Sequence, residues 1–217
     1  MTSRKQIVAA TDTIRAKNLS DSDKVAIQIV EIPKLIRVNT SLELAPLGTT
    51  HTKQYFKLVI ENQDRIGEWF SWAKNKQDMS KTRKYLKQVE LDHKTREGIH
   101  MGIFFSGKLV GQLSLTKIDF YHLSLNMSGW IDKNYEGAGY FFKAAETALN
   151  YAFIDLGFNR IEVRAVATNE RSHNLAVRML RKEGTLKEAH KNGNKFLDID
   201  VYGFLRSEWL SYLTTKK

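Results

Sequence analysis

Hydrophobic positions recur along the chain with two spacings, and each spacing predicts an element. Residues 36–44 alternate, with Ile36, Val38, Thr40, Leu42 and Leu44 on one side, as in a core strand that Pro46 stops. Over 52–70 the positions Tyr55, Leu58, Val59, Asn62, Ile66 and Trp69 return every three or four residues, predicting an amphipathic helix interrupted near Gly67. A second helix carries Tyr85, Leu86 and Val89, with Ser80 as its expected cap. Residues 100–105 and 108–115 read as strands joined by Ser106-Gly107, a pair suited to a tight antiparallel hairpin. A third strand, 123–131, leads to a glycine turn at 137–139. Phe142, Ala145, Leu149, Ala152, Phe153 and Leu156 then mark a long helical stripe ended by Gly157. A strand over 160–167, a helix opened by Asn169 and two closing strands, 185–190 and 196–206, complete the pattern.

Residues 1–34 fit this pattern least and read as an appended segment, leaving 35–213 as one domain. A chain of 217 residues, 42% hydrophobic, is long enough to bury a full core. It has no cysteine, which excludes a disulfide framework and a thiolate metal site, and no metal is expected. No apolar run reaches the ~18 residues of a membrane span and no secretory signal is evident, so no membrane partner and a cytoplasmic location are expected. The net charge of +10 is spread from Arg4 to Lys217 with carboxylates between, and no RNA-recognition aromatic motif is visible. Specific nucleic-acid binding is therefore not expected. The excess favours a polyphosphorylated ligand or a ribonucleoprotein environment over an acidic partner.

The glycine turn is the feature with chemistry in it. Strand, turn and helix start together aim several backbone N–H groups at one point, an arrangement that suits an anion. Gly137-Ala138-Gly139 lacks the third glycine of a dinucleotide fingerprint, and no Lys-Ser/Thr pair follows it as in a Walker loop. Trp69-Phe70-Ser71-Trp72 is a dense aromatic cluster, suited either to core packing or to the wall of an acceptor pocket.

Read in order, Gly67-Glu68-Trp69-Phe70-Ser71-Trp72, Gly111-Gln112-Leu113-Ser114-Leu115, Ser128-Gly129-Trp130-Ile131, Tyr135-Glu136-Gly137-Ala138-Gly139, Asn159-Arg160-Ile161-Glu162-Val163-Arg164 and Asn169-Glu170-Arg171-Ser172 form a series. Over roughly 36–210 that series resembles the GCN5-related N-acetyltransferase (GNAT) superfamily, in its RimJ/RimL-like branch. The resemblance implies an α/β (α+β) fold: a mixed, mostly antiparallel central sheet, splayed at the cofactor site, with helices on both faces. It implies transfer of acetyl from acetyl-CoA to a primary amine by direct attack in a ternary complex. A protein N-terminal α-amine of ribosomal-protein type is the first expectation. A small-molecule amine, and a CoA-binding regulatory protein that has lost turnover, stay open, as does a homodimer.

The same resemblance implies the site. Trp130, Ile131 and Asp132 would line the pantetheine, and Gly137, Ala138, Gly139, Tyr140, Phe141 and Phe142 would hold the pyrophosphate. The family's glycine motif runs Gln or Arg, two residues, Gly, one residue, Gly or Ala; here those places hold Glu136, Gly139 and Phe141. A carboxylate at Glu136 repels phosphate unless it pairs with a base such as Lys143. Asn169 and Ser172 would lie near the pantetheine, with Ser172 protonating the departing thiolate, and Trp69 and Trp72 would bind the acceptor. For the general base, one alignment selects His190 and another Ala189; Glu188 or a water are the alternatives.

Overall fold

The computed structural model describes residues 32–215. The expected extension 1–34 lies outside them apart from its last residues. Among the described residues eight strands form one open sheet: β1 (Ile36–Arg37), β2 (Leu42–Pro46), β3 (Gly98–Phe105), β4 (Lys108–Asp119), β5 (Ser124–Ile131), β6 (Arg160–Val166), β7 (Arg181–Asn192) and β8 (Lys195–Leu205). Their spatial order is β1-β2-β3-β4-β5-β6-β8-β7. Every neighbouring pair is antiparallel except β5 and β6, which run parallel.

Helices cover both faces, as expected. On one face α1 (Thr52–Glu61), α2 (Gln63–Gly67) and α3 (Met79–Thr95) precede the hairpin, and Tyr55, Leu58, Val59, Leu86 and Val89 pack with Leu47, Phe104 and Leu109. On the other lie α4 (Tyr140–Asn150), α5 (Glu170–Ala176) and α6 (Arg206–Thr215). Ala145, Leu149, Phe153 and Trp209 there join Leu113, Leu115, Leu125 and Met127 in the larger core. Because both faces are covered, β4 is buried almost continuously.

Three local expectations are corrected and a fourth is extended. The strand over 36–44 is two strands joined by a turn, because the Asn39 carboxamide oxygen accepts the N–H groups of Ser41 (2.9 Å) and Leu42 (2.8 Å). The first helix stops at Gly67 as expected but is also broken earlier, at Asn62. The buried Asn62 side chain donates to Leu58 O (3.0 Å) and accepts the Lys133 N–H (3.0 Å), which ties the helix end to the far end of β5. The second long helix is capped by Asp78, whose carboxylate accepts the Lys81 N–H at 2.8 Å, rather than by Ser80. The chain ends not in a strand but in α6, started where the Glu208 carboxylate accepts the Leu205 N–H (2.9 Å).

The fold's functional consequence lies at β5. It pairs with β6 only through Ser124, Leu125 and Asn126, opposite Arg160, Ile161 and Glu162. Beyond Asn126, β6 stays on β8 as far as Val166, so residues 127–131 of β5 present an edge that no strand fills.

Candidate functional site

Two cavities flank the splayed end of β5, and both are lined by Gly129 and Trp130. The first, about 660 Å³, opens between the end of β5, the glycine turn and the starts of α4 and α5. Gly137 (φ 76°) and Gly139 (φ 75°) both sit in the left-handed region, which L side chains rarely adopt. Gly139 is the N-cap of α4 and has no side chain to bond the helix start. The N–H groups of the first turn therefore face outward without an intrahelical partner, at the positive end of the helix dipole.

The two departures from the family motif are accommodated. The ring of Phe141 turns inward onto β5: a Cβ built on Gly129 would lie 2.9 Å from two of its ring atoms and 2.6 Å from Gln112 O. The Phe141 N–H stays with the helix start while its side chain becomes a wall. Glu136 pairs with Arg65 and, at 3.2 Å, with Arg171 rather than with Lys143. Arg65 also donates to Ile131 O and to Asn62 (3.4 Å), so it fixes the last turn of β5 as well as neutralising the carboxylate. Arg178 lies over the Phe142 ring, 4.0 Å from its centroid, and lines the same cavity. With Arg65, Arg171 and Arg178 against Glu136, the cavity has a net positive lining suited to phosphates.

The second cavity, about 760 Å³, lies on the α1/α3 side of the sheet. Strand register builds its floor. His100, Ser114 and Ser128 are successive partners across β3, β4 and β5, and Gly102, Gln112 and Trp130 form the next row. Side chains of paired residues share a face, so polar groups that look scattered in the chain converge. Tyr55 donates to Gln112 Oε1 (2.5 Å), and Gln112 Nε2 donates to Tyr85 Oη (2.7 Å) and Ser114 Oγ (2.8 Å). Ser114 Oγ meets His100 Nδ1 at 2.9 Å, and His100 Nε2 meets the Asp92 carboxylate at 3.2 Å. Phe70 and Trp72 supply the aromatic wall, and the exposed Asn75, Lys76 and Lys81 form the rim.

Burial pushes the His100 and His93 imidazoles below their ordinary range, partly offset at both by the Asp92 carboxylate. Burial likewise raises the Tyr55 and Tyr85 phenols, which stay protonated. Among the described residues no three His, Cys, Asp or Glu side chains converge on a metal-sized point.

The expected residues are distributed unevenly. Trp130, Ile131, Gly137, Gly139, Tyr140, Phe141 and Phe142 line the first cavity, and Trp72 lines the second. Asp132 is buried and caps the short 3-10 turn Lys133–Tyr135 by accepting the Asn134 N–H at 3.0 Å. Asn169 caps α5 by accepting the Ser172 N–H at 3.1 Å. Ala138, Ser172 and Trp69 are absent from the linings of both cavities. His190, on β7 opposite Leu197, is absent as well; its Nε2 is buried without a hydrogen-bond partner among the described residues. The sequence assigns no site role to Arg65, Arg171, Arg178, Tyr55, Tyr85, His100, Gln112 or Ser114, although Gln112, Ser114 and Arg171 stand in the motif series. A Gln-Leu-Ser alternation inside an apolar strand is the signal that marks two of them.

Residues 41–179 match the family model described as acetyltransferase (GNAT) domain. Among characterised and catalogued proteins, a candidate ribosomal N-acetyltransferase of Bacillus subtilis (strain 168), YdaF, is 27% identical over 175 residues, covering 80% of this chain and 96% of that protein. The ribosomal-protein-serine acetyltransferase of Escherichia coli (strain K12) is 23% identical over 168 residues, covering 77% and 94%. Among solved structures, RimL, a ribosomal L7/L12 α-N-protein acetyltransferase in complex with coenzyme A, superposes with a TM-score of 0.76 at 22% identity, covering 79% of this chain and 97% of that one.

Proposed function

The chain belongs to the GNAT acetyltransferase family, and from that premise we propose that it transfers acetyl from acetyl-CoA to a primary amine, a protein N-terminal α-amine of ribosomal-protein type. The observation that carries the reading is the pair of cavities meeting at Gly129 and Trp130, where β5 parts from β6. One cavity suits the coenzyme. The helix-start N–H groups of 139–142 and the arginines Arg65, Arg171 and Arg178 fit its phosphates, and Trp130 and Ile131 fit the pantetheine arm. Bound there, acetyl-CoA supplies the activated acyl group. The other cavity suits the amine, with Phe70 and Trp72 beside it and polar groups on its floor. Its exposed rim leaves room for the residues that follow a chain's first amino group.

Two relatives named for ribosomal substrates support the α-amine choice, and so does chemistry. An α-amine has a pKa of about 7.7–8.0 against about 10.4 for lysine, so far more of it is neutral and nucleophilic near pH 7. The location that fits this reading is the cytoplasm. Ser172, beside Arg171 in the first turn of α5, is the proposed proton donor to the departing thiolate. Ser172→Ala is expected to lower kcat more than acetyl-CoA affinity; an unchanged kcat assigns Ser172 to the helix start alone. The functional test is incubation with acetyl-CoA and a panel of N-terminal peptides and small amines, following free thiol and the intact mass of each acceptor. Preferential acetylation of peptides at the α-amine is expected. Preference for small amines would replace the acceptor, and coenzyme A binding without amine-dependent thiol release would remove the enzymatic reading.

A further inference from the structure

Two polar residues of the acceptor cavity, Ser114 and His100, form a continuous line that leads outward to Asp92 behind them. Ser114, on β4, pairs with Ser128 of β5 and sits one residue along from the partner of Gly129, and it lines the cavity beside the wall that both cavities share. The line's direction follows from what each group can do. The Asp92 carboxylate only accepts, so His100 carries its proton on Nε2 and presents a lone pair at Nδ1. Gln112 Nε2 donates to Ser114 Oγ, so the Ser114 proton is directed to His100 Nδ1, and Ser114 Oγ keeps a second lone pair. Asp92 is partly exposed, with a side-chain accessibility of 21% against 11% for His100, and so connects the line to solvent.

We infer that Ser114, His100 and Asp92 are the proton relay of the acetyl transfer: Ser114 Oγ takes a proton from the acceptor nitrogen, His100 Nδ1 takes the Ser114 proton, and Asp92 stabilises the resulting imidazolium. The inference rests on the acetyltransferase reading of the same site. As the nitrogen of a neutral amine bonds the acyl carbon it becomes cationic and acidic. One N–H bond breaks and an O–H bond forms at Ser114; the serine's former proton forms the N–H bond at His100 Nδ1. The C–S bond then breaks, the thiolate takes the Ser172 proton, which solvent replaces, and His100 gives one proton to solvent past Asp92, so the sum is amide plus thiol. Ser114 touches the acceptor, whereas His100 and Asp92 act through it.

The groups facing His100 set the pH at which the relay works. From α3 these are Asp92, His93 (ring centroids 5.9 Å apart) and, through Gln112, Tyr85; from α1, also through Gln112, Tyr55; Lys76 and Lys81 line the same cavity at its rim. β4 contributes the uncharged Gln112 and Ser114. Burial holds the imidazole below its ordinary range, so it is neutral and able to accept near pH 7. Removing the Asp92 carboxylate removes an interaction that raises this value, so the imidazole becomes a weaker base that stays neutral to lower pH.

The test is the pH dependence of kcat, at saturating acetyl-CoA and acceptor peptide, for wild type, Asp92→Asn and His100→Asn, with histidine NMR of the same proteins. Wild type is expected to lose kcat through an acid limb below pH 6.5. Asp92→Asn should move that limb to lower pH and reduce the plateau several-fold. His100→Asn should abolish the limb and reduce kcat on the order of 10²-fold, with acetyl-CoA Kd unchanged. The NMR should find the His100 proton on Nε2. A limb unmoved in both variants, or a neutral His100 protonated on Nδ1, overturns the relay and leaves the acetyltransferase standing. Wild-type protein without amine-dependent thiol release overturns both. Should His100→Asn fail to fold, the limb in Asp92→Asn and the wild-type tautomer decide.

Discussion

At the scale of single residues, Arg65 and Glu136 have opposite expected effects on the coenzyme. Arg65→Met removes a guanidinium from the phosphate side and leaves Glu136 with only the exposed Arg171, so acetyl-CoA Kd should rise roughly tenfold, about 1.4 kcal/mol. Glu136→Gln frees two guanidinium groups and should tighten binding; calorimetry of the two variants reads both signs. Gly129→Ala presses a methyl group against Gln112 O and the Phe141 ring, and should destabilise the fold by about 1–3 kcal/mol in chemical denaturation. Adding Phe141→Ala relieves the ring contact but not the carbonyl contact, so recovery should be partial. The glycine turn was legible because its conformation is written in residue type. Glu136 posed a question that the sequence framed correctly, a carboxylate in need of a base. The answer, Arg65, lies 71 positions away on another element, where no local pattern points.

At the scale of elements, β3 and β4 show why the acceptor floor was hidden. The hairpin at Ser106-Gly107 was predicted, and counting back from it places His100 opposite Leu113. A bulge between Ile103 and Phe104 shifts the register by one, bringing His100 opposite Ser114. That single extra residue on β4 decides which side chains share a face, and the amino-acid pattern does not announce it. The end of the chain was missed for a related reason. From Phe204 the chain passes from β8 into α6 with no glycine or proline at the junction, and the signal is the Glu208 carboxylate reaching back to Leu205. Trp209, 2% exposed, packs on Phe153, Phe204 and Tyr212 and donates to Asn150 Oδ1 at 3.3 Å. Trp209→Ala should therefore lower unfolding free energy by about 3–5 kcal/mol while leaving the cavities formed, so activity below the new Tm should persist.

At the scale of the whole molecule, pH should act on stability in two steps. His93 and His100 have folded-state values below 6.5, so the unfolded chain binds their protons first. Stability is thus fully present above about pH 6.5 and is lost as pH falls through the lowered folded-state values. Glu90, Asp119, Glu183 and Asp200 are also held low, mainly by hydrogen bonds from Thr49, His122, Arg160 and Lys182 respectively. Their contribution is present above about pH 4 and is lost below it. A Tm profile should show both steps, and replacing His93 and His100 by Asn should flatten only the upper one.

The wall formed by Gly129 and Trp130 also governs traffic. The exposed residues of the two linings differ: Gly137 and Arg171 border one chamber, Trp72 and Lys76 the other. Neither product has to wait for the other to leave. Product inhibition should therefore divide along the wall: free coenzyme competes with acetyl-CoA alone, and acetylated peptide with unmodified peptide alone. Cross-competition would mean that the two doors open onto one room.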